Sequence, residues 1–192
     1  MPVQVRVAQP DDADAIAAAH IEGWRVGYRH LFPTEFLDAP EFASSRLERW
    51  RAWTWSEFAD SQLFVVLLRD RVVGFGHVGP ERAMPECDQS GTDANPETIK
   101  LGPGPGPGRG EVYGFYLHPD AWGSGAASAL IARCHEYLRD EGFADAVLWV
   151  LRDNPRARVF YEKSGWQPTG VEMTFEPPNS APVPDVQYLV HL

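Results

Sequence analysis

The sequence predicts an α/β protein in which a mixed, mostly antiparallel sheet carries helices on both faces. Three observations lead there. Glu111 to Leu117 is a short run rich in aromatic and branched residues, the pattern of a buried strand. His118-Pro119-Asp120 breaks it, and Trp122-Gly123-Ser124-Gly125 turns the chain into a helix with apolar positions Ala127, Leu130, Ile131, Cys134 and Leu138, spaced at the helical period. A second strand-to-helix unit follows: the apolar run Ala146 to Leu151, then a helix that Asn154 caps, Pro155 opens and Gly165 ends. Finally, Val171 to Phe175 and Val186 to Val190 flank a proline-rich turn and read as a closing antiparallel pair. Two successive strand-helix units imply parallel pairing of their strands.

The remaining elements follow in order. Val3 to Val7 alternates as a first strand. Asp11 or Asp12 is placed to cap a helix running to about Arg29, and Pro33 stops that region. Phe36 to Trp55 reads as one or two helical pieces around Pro40, and Gln62 to Leu68 and Val72 to Val78 as strands joined by a turn at Asp70-Arg71. Residues 80 to 110 have no periodicity and contain Gly102-Pro103-Gly104-Pro105-Gly106-Pro107-Gly108, a Pro/Gly-rich flexible loop. It is either a tolerated insertion or a segment that folds over a substrate. The expected organisation is one domain over residues 1–192.

Composition narrows the class of protein. With 44% hydrophobic residues the chain can build a full core. No apolar run approaches the roughly 20 residues of a membrane helix, and the N-terminus lacks the charged and apolar regions of a signal peptide. Cys87 and Cys134 give no disulfide framework, so a cytoplasmic location and no membrane partner are expected. A net charge of −10 argues against nucleic acid, whose binding needs basic surface. The same charge mildly favours a cationic acceptor by long-range attraction, or reflects ordinary solubility. The six histidines show no metal-ligand spacing, so no metal is expected.

The glycine turn at Gly123 to Gly125 has two readings. It either makes a tight strand-to-helix connection only, or it leaves the first helical N–H groups bare as an anion site. The two segments together resemble the GCN5-related N-acetyltransferase (GNAT) superfamily. The first is similar to that family's Gln/Arg-x-x-Gly-x-Gly/Ala signature, with Trp122 in the first place, Gly125 in the fourth and Ala127 in the sixth. The second is similar to its Asn-x-x-Ala-x-x-Phe-Tyr-x-Lys-x-Gly-Phe stretch, with Asn154, Ala157, Phe160, Tyr161, Lys163 and Gly165 in place and Trp166 for the final Phe. The resemblance implies a fold whose parallel strands splay around acetyl-CoA, the acyl-donor co-substrate. It implies backbone contacts to the acetyl and pantetheine groups from Phe115, Tyr116 and Leu117. It also implies a pyrophosphate held by Trp122, Gly123, Ser124, Gly125, Ala126, Ala127 and Ser128, with Asn154 near the pantetheine. Arg152, Arg156 and Arg158 are within sequence reach of the phosphates or are solvated side chains.

The chemistry needs a neutral amine. A lysine-like amine has a pKa of about 10.4, so its deprotonation at pH 7 costs roughly 4–5 kcal/mol. Glu111, eleven positions before Trp122, is by resemblance in the register of the catalytic glutamate and is the candidate base; the alternative is a solvated strand-end charge. Tyr161, by resemblance near the coenzyme sulfur, is the candidate acid; the alternative is a core aromatic beside Phe160. Ile16, His20, Trp24 and Tyr28 recur at four-residue spacing on one helix face, and Trp24 and Tyr28 either line the acceptor pocket or pack as core with polar tips at its rim. The expected activity is acetyl transfer from acetyl-CoA to a primary amine of a small molecule, by direct attack in a ternary complex. A protein acceptor, and a non-catalytic acyl-CoA-binding module, are the alternatives. A monomer or homodimer is expected.

Overall fold

A computed structural model of the chain describes residues 3–53, 60–82, 108–177 and 181–192. Seven strands form one sheet: β1 (Val3–Val7), β2 (Gln62–Leu68), β3 (Arg71–Pro80), β4 (Gly110–Leu117), β5 (Asp145–Leu151), β6 (Gln167–Phe175) and β7 (Val183–His191). They lie in the order β1-β2-β3-β4-β5-β7-β6. Every neighbouring pair is antiparallel except β4 and β5, which run parallel. This is the mixed, mostly antiparallel sheet that the sequence predicts.

The helices are α1 (Ala13–Gly27), α2 (Thr34–Leu37), α3 (Pro40–Arg51), α4 (Ala126–Asp140) and α5 (Pro155–Lys163). Pro40 splits the predicted second helical region by opening α3 at its first turn. The expected aspartate cap of α1 takes another form. A single 3-10 turn, Pro10–Asp12, precedes the helix, and the Asp12 carboxylate makes no cap bond to α1. Instead it accepts from both Arg6 terminal nitrogens (2.6 and 2.9 Å) and from the Gln9 backbone N–H (2.8 Å). A bidentate arginine fork, two parallel bonds between opposite charges, outcompetes a single cap bond.

The sheet divides the core. On one face α4 brings Leu130, Ile131, Cys134 and Leu138 against Phe64, Val66 and Val78, and α5 adds Tyr161. On the other face α1 and α3 bring Ile16, Trp24, Phe42 and Trp50 against Val65, Leu67, Phe75 and Phe175. Cys134 is fully buried, and its apolar surroundings push the thiol up to about 12, as suits a core cysteine. Cys87 and residues 102–107 of the Pro/Gly run lie outside the described residues. The chain on either side of them is pinned: Glu81 N–H donates to the Arg109 carbonyl at 2.8 Å, and their side chains form a bidentate ion pair. Among the described residues, no helix is long and apolar enough to cross a membrane.

Candidate active site

The parallel pairing of β4 and β5 is short. It runs from Gly110↔Ala146 to Val112↔Leu148 and then stops, although β4 continues to Leu117 and β5 to Leu151. The two strands splay beyond that point, and the gap opens a cleft of about 1050 Å³. Phe115, Tyr116, Leu117, Trp122, Gly123, Ala127, Asn154 and Tyr161 all line it, as do Glu111, Trp24 and Tyr28. The residues singled out in the sequence thus converge, with Ser124, Gly125, Ala126 and Ser128 in the adjoining turn and first turn of α4.

The turn is built for close approach of a ligand. Gly123 and Gly125 have φ of +76° and +89°, a region side chains avoid, and a Cβ at either would meet open space. Gly125 is the N-cap of α4 and supplies no side-chain acceptor. Only the Ala126 N–H is met locally, by Ser124 Oγ at 3.2 Å, while that hydroxyl donates to the Ala121 carbonyl at 2.6 Å. The following N–H groups, of Ala127 and Ser128, face beyond the helix end, where the dipole favours an anion. This cradle, with open space over two glycines, fits a pyrophosphate. Trp122 differs from the expectation: its backbone N–H donates to Pro119 (3.0 Å) and its indole N–H to the Leu117 carbonyl (3.3 Å). With both donors used internally, Trp122 walls the cleft instead of donating to a phosphate. Its ring carries the Arg156 guanidinium at 3.8 Å, and Arg156 alone of the three arginines lines the cleft. Arg158 is engaged by Tyr188 Oη and the Arg152 carbonyl, and Arg152 by Asp153 and Glu172.

Asn154 caps α5 by accepting from the Ala157 N–H at 3.1 Å, and it is buried at the cleft wall. Tyr161 projects from α5 against Phe115 and Trp166 and is 7% exposed. Burial first, and then the neighbouring Tyr116, Cys134 and Asp185, raise its pKa well above that of a free phenol, so it keeps its proton throughout the physiological range.

Glu111 is not a solvated strand end. It is 2% exposed, and both carboxylate oxygens are engaged by Arg82. Oε2 accepts the Arg82 backbone N–H at 2.8 Å and Oε1 accepts Nε at 3.0 Å and also Nη2. Three donors thus occupy the carboxylate, two on Oε1 and one on Oε2, which leaves Oε2 a free lone pair. Above it, Tyr113 donates to the Pro80 carbonyl at 2.5 Å, and His77 sits edge-on to Tyr113, pressed down to about 3 by burial and then by the Arg82 charge.

Under α1, Trp24 and Tyr28 meet at 4.7 Å between ring centroids and extend through Phe32 and Phe175. His20, from the same helix stripe, accepts at Nδ1 from Trp50 Nε1 (3.2 Å) and is held neutral by burial and by Arg46 and Arg49. Two groups here escape sequence reasoning. Asp185, on β7, lines the cleft at 9% exposure, and its Oδ1 has no hydrogen-bond donor. Burial raises its carboxyl to about 7. Arg46, on α3, also lines the cleft, lies 3.6 Å from the Phe42 ring centre and 4.9 Å from that of Trp24, and is lowered to about 10 chiefly by burial. Among the described residues, no cluster of three or more His, Cys, Asp or Glu side chains could hold a metal ion.

A splayed parallel pair, a glycine cradle at a helix N-terminus and a buried tyrosine across the gap define a coenzyme A-binding fold of the acyltransferase type. Residues 23–166 match the model of the acetyltransferase (GNAT) family, and the chain belongs to that family. It is 28% identical over 163 residues to the uncharacterised N-acetyltransferase YuaI of Bacillus subtilis, covering 83% of this chain and 78% of the relative. It is 23% identical over 195 residues to the probable N-acetyltransferase Rv2775 of Mycobacterium tuberculosis, covering 98% and 94%. Among solved structures, the PaiA N-acetyltransferase of Thermoplasma acidophilum, in complex with coenzyme A, superposes with a TM-score of 0.64 at 14% identity over the full length of both chains. An N-acetyltransferase of Staphylococcus aureus Mu50 superposes at 0.65 and 17% identity, over 100% and 99%. At these identities the superpositions speak to the fold. Acetyl transfer from acetyl-CoA to an amine is the activity that membership of the family supports.

Proposed function

We propose that the protein is an acetyl-CoA-dependent N-acetyltransferase acting on the primary amine of a small molecule, by direct transfer in a ternary complex. The observation that carries this reading is the cleft itself. It runs from the glycine cradle at α4, through the gap between β4 and β5, to an aromatic chamber under α1 and α3. A pantetheine arm lying in the gap brings the thioester to the point where the chamber begins. The Phe115 to Leu117 stretch of β4, unpaired on its β5 side, offers backbone groups to the arm and to the developing oxyanion. Bound acetyl-CoA supplies the activated acetyl group.

In the transfer, the amine nitrogen bonds to the acetyl carbon, the carbon–sulfur bond breaks, and the electron pair leaves on the coenzyme sulfur. Tyr161, fully protonated, donates a hydrogen bond to that sulfur as its charge grows. The ammonium proton must leave before or during attack. Glu111, held by Arg82 in the cleft wall, is the candidate to receive it at the free lone pair of Oε2, and otherwise contributes a fixed negative charge there. A cytoplasmic setting, with acetyl-CoA at hand, suits the activity.

The test is coenzyme release, followed with a thiol reagent, from acetyl-CoA and a panel of amines. Tyr161→Phe should lower kcat by roughly 10-fold to 100-fold, the lower part of the range for a general acid and below it. Its acetyl-CoA affinity by calorimetry should stay within about twofold, since the phenol's hydrogen bond forms only as the sulfur departs. Tight acetyl-CoA binding with no turnover on any amine would defeat the enzyme reading and leave a coenzyme-binding module.

A further inference from the structure

The chamber under α1 and α3 holds two opposite charges that do not meet. Asp185 stands on β7 opposite Leu151 of β5 and Met173 of β6, and so faces the α1 side of the sheet with Phe175. Its Oδ1 accepts no hydrogen bond although it is buried. Arg46 stands across the chamber on α3. Its Nη1 donates to the Phe42 carbonyl at 3.0 Å, its Nε has no acceptor, and among the described residues no carboxylate lies within ion-pair range. Arg49 lies one turn further along the same helix and lines the same space. Tyr116 of β4 lines the same chamber and feels both charges. Glu41, in the first turn of α3, also borders the chamber but is exposed.

Desolvating one unpaired charge costs several kcal/mol, and desolvating two of opposite sign without pairing them costs more. Either charge alone would suit an ordinary amine or an ordinary anion. Both together, held apart in one chamber, match a ligand that carries the complementary pair. The surroundings agree. The chain has a net charge of −10, yet the cleft gathers Arg46, Arg49, Arg82, Arg156 and Lys163 against Glu41, Glu111 and Asp185. Arg82 is matched to Glu111, and Arg156 lies on Trp122 at the coenzyme end. Arg46, on α3, is on the sheet face opposite α4, where it is placed for the acceptor and not for the pyrophosphate.

Building on the acetyltransferase reading, we propose that the acceptor is an amine that also carries an anionic group, its amine end received by Asp185 and its anion by Arg46. The aromatic walls, Trp24, Tyr28, Phe42 and Phe175, suit an apolar body between the two. Asp185 is the end nearer the chemistry, since it pairs with Leu151 of β5, the strand that borders the splayed gap. A carboxylate or a phosphate satisfies Arg46 equally well in kind.

Matched pairs of probes test this on the protein saturated with coenzyme A: L-phenylalanine against phenethylamine, 5-aminovalerate against pentylamine, and O-phosphoethanolamine against ethanolamine. By calorimetry, the anionic member of at least one pair should bind about 10-fold tighter or more, as charge-assisted hydrogen bonds allow. Whether the carboxylate or the phosphate pairs respond identifies the anion. Arg46→Gln should reduce that ratio to within about twofold, while Arg46→Lys, which keeps the charge and loses the fork, should retain part of it. Equal or weaker binding of every anionic member, or a ratio unchanged in folded Arg46→Gln, would overturn the proposal. Turnover on the same pairs separates the two readings. Acetylation without preference for the anionic members sinks this proposal and keeps the enzyme. Preferential binding without acetylation keeps the two-charge site and sinks the enzyme.

Discussion

Replacing Asp185 by asparagine should make the protein more stable. The carboxyl is raised from an ordinary 3.8 to about 7 by burial, with no donor at Oδ1 to compensate. At about 1.4 kcal/mol per pH unit, that rise corresponds to a penalty of about 4 kcal/mol on the folded state once both states are ionised. The direction follows from which state holds the proton. Below pH 3.8 the folded and unfolded chains both carry it, and the penalty is absent. Between 3.8 and about 7 the unfolded chain releases the proton while the folded chain keeps it, so folding stability declines as pH rises. Above 7 the loss is complete. The asparagine side chain keeps the volume and carries no charge, so Asp185→Asn should gain about 4 kcal/mol over the parent at pH 8 and about 2 kcal/mol at pH 5. Urea denaturation at the two pH values measures both. A variant no more stable than the parent at pH 8, or a gain that does not change between pH 5 and 8, would refute the claim that this carboxylate is buried unpaired. A residue retained against such a cost is one whose use lies in binding.

Two further perturbations bear on the coenzyme and the base. Gly125→Val places a branched side chain at φ of +89°, over the open cradle, and should cost about 1–2 kcal/mol in stability and weaken acetyl-CoA binding; unchanged affinity by calorimetry in the folded variant would remove the anion-site argument. Glu111→Gln breaks a buried pair by removing the negative charge that faces Arg82, so denaturation should show a loss of about 3 kcal/mol, and a variant as stable as the parent would contradict the pairing.

The parts of the molecule that were legible in the sequence are those whose causes are local. The βαβα unit from Glu111 to Gly165 announces itself through an N-cap at Asn154, a proline at the next position, positive-φ glycines at Gly123, Gly125 and Gly165, and apolar residues at the helical period. Residues bound by distant partners were not. The partner of Glu111 is Arg82, 29 positions away, across a stretch with no pattern at all. Asp185 follows Pro184, and so reads as a turn residue; only its register with Leu151 and Met173 turns it into the cleft. The one available signal was alternation, since Val183, Asp185 and Gln187 share a face once β7 is begun three residues before Val186. Asp11 or Asp12 suits a helix cap by sequence, and no local pattern shows that the Arg6 fork takes the Asp12 carboxylate.

The interrupted pairing of β4 and β5 explains why the two halves of this site can act on one bond. Tyr161 belongs to the core on the α4 side of the sheet, and Asp185 to strand positions that face α1. In a continuous sheet a layer of backbone would separate them. Because the ladder ends at Val112↔Leu148, each comes within electrostatic range of the other through the gap. In the proposed reaction, a coenzyme arm in that gap would fill the space that backbone hydrogen bonds would otherwise close, between the tyrosine and the chamber. Two ligands that approach from opposite faces can then be bound at once, and neither must leave for the other to enter. That geometry favours direct attack over a covalent acetyl-enzyme. The one free cysteine among the described residues, Cys134, fits the same view: its thiol is pushed up to about 12 by burial in the core. A thiol so reluctant to ionise is a poor nucleophile at neutral pH, which agrees with the single transfer from sulfur to nitrogen proposed above.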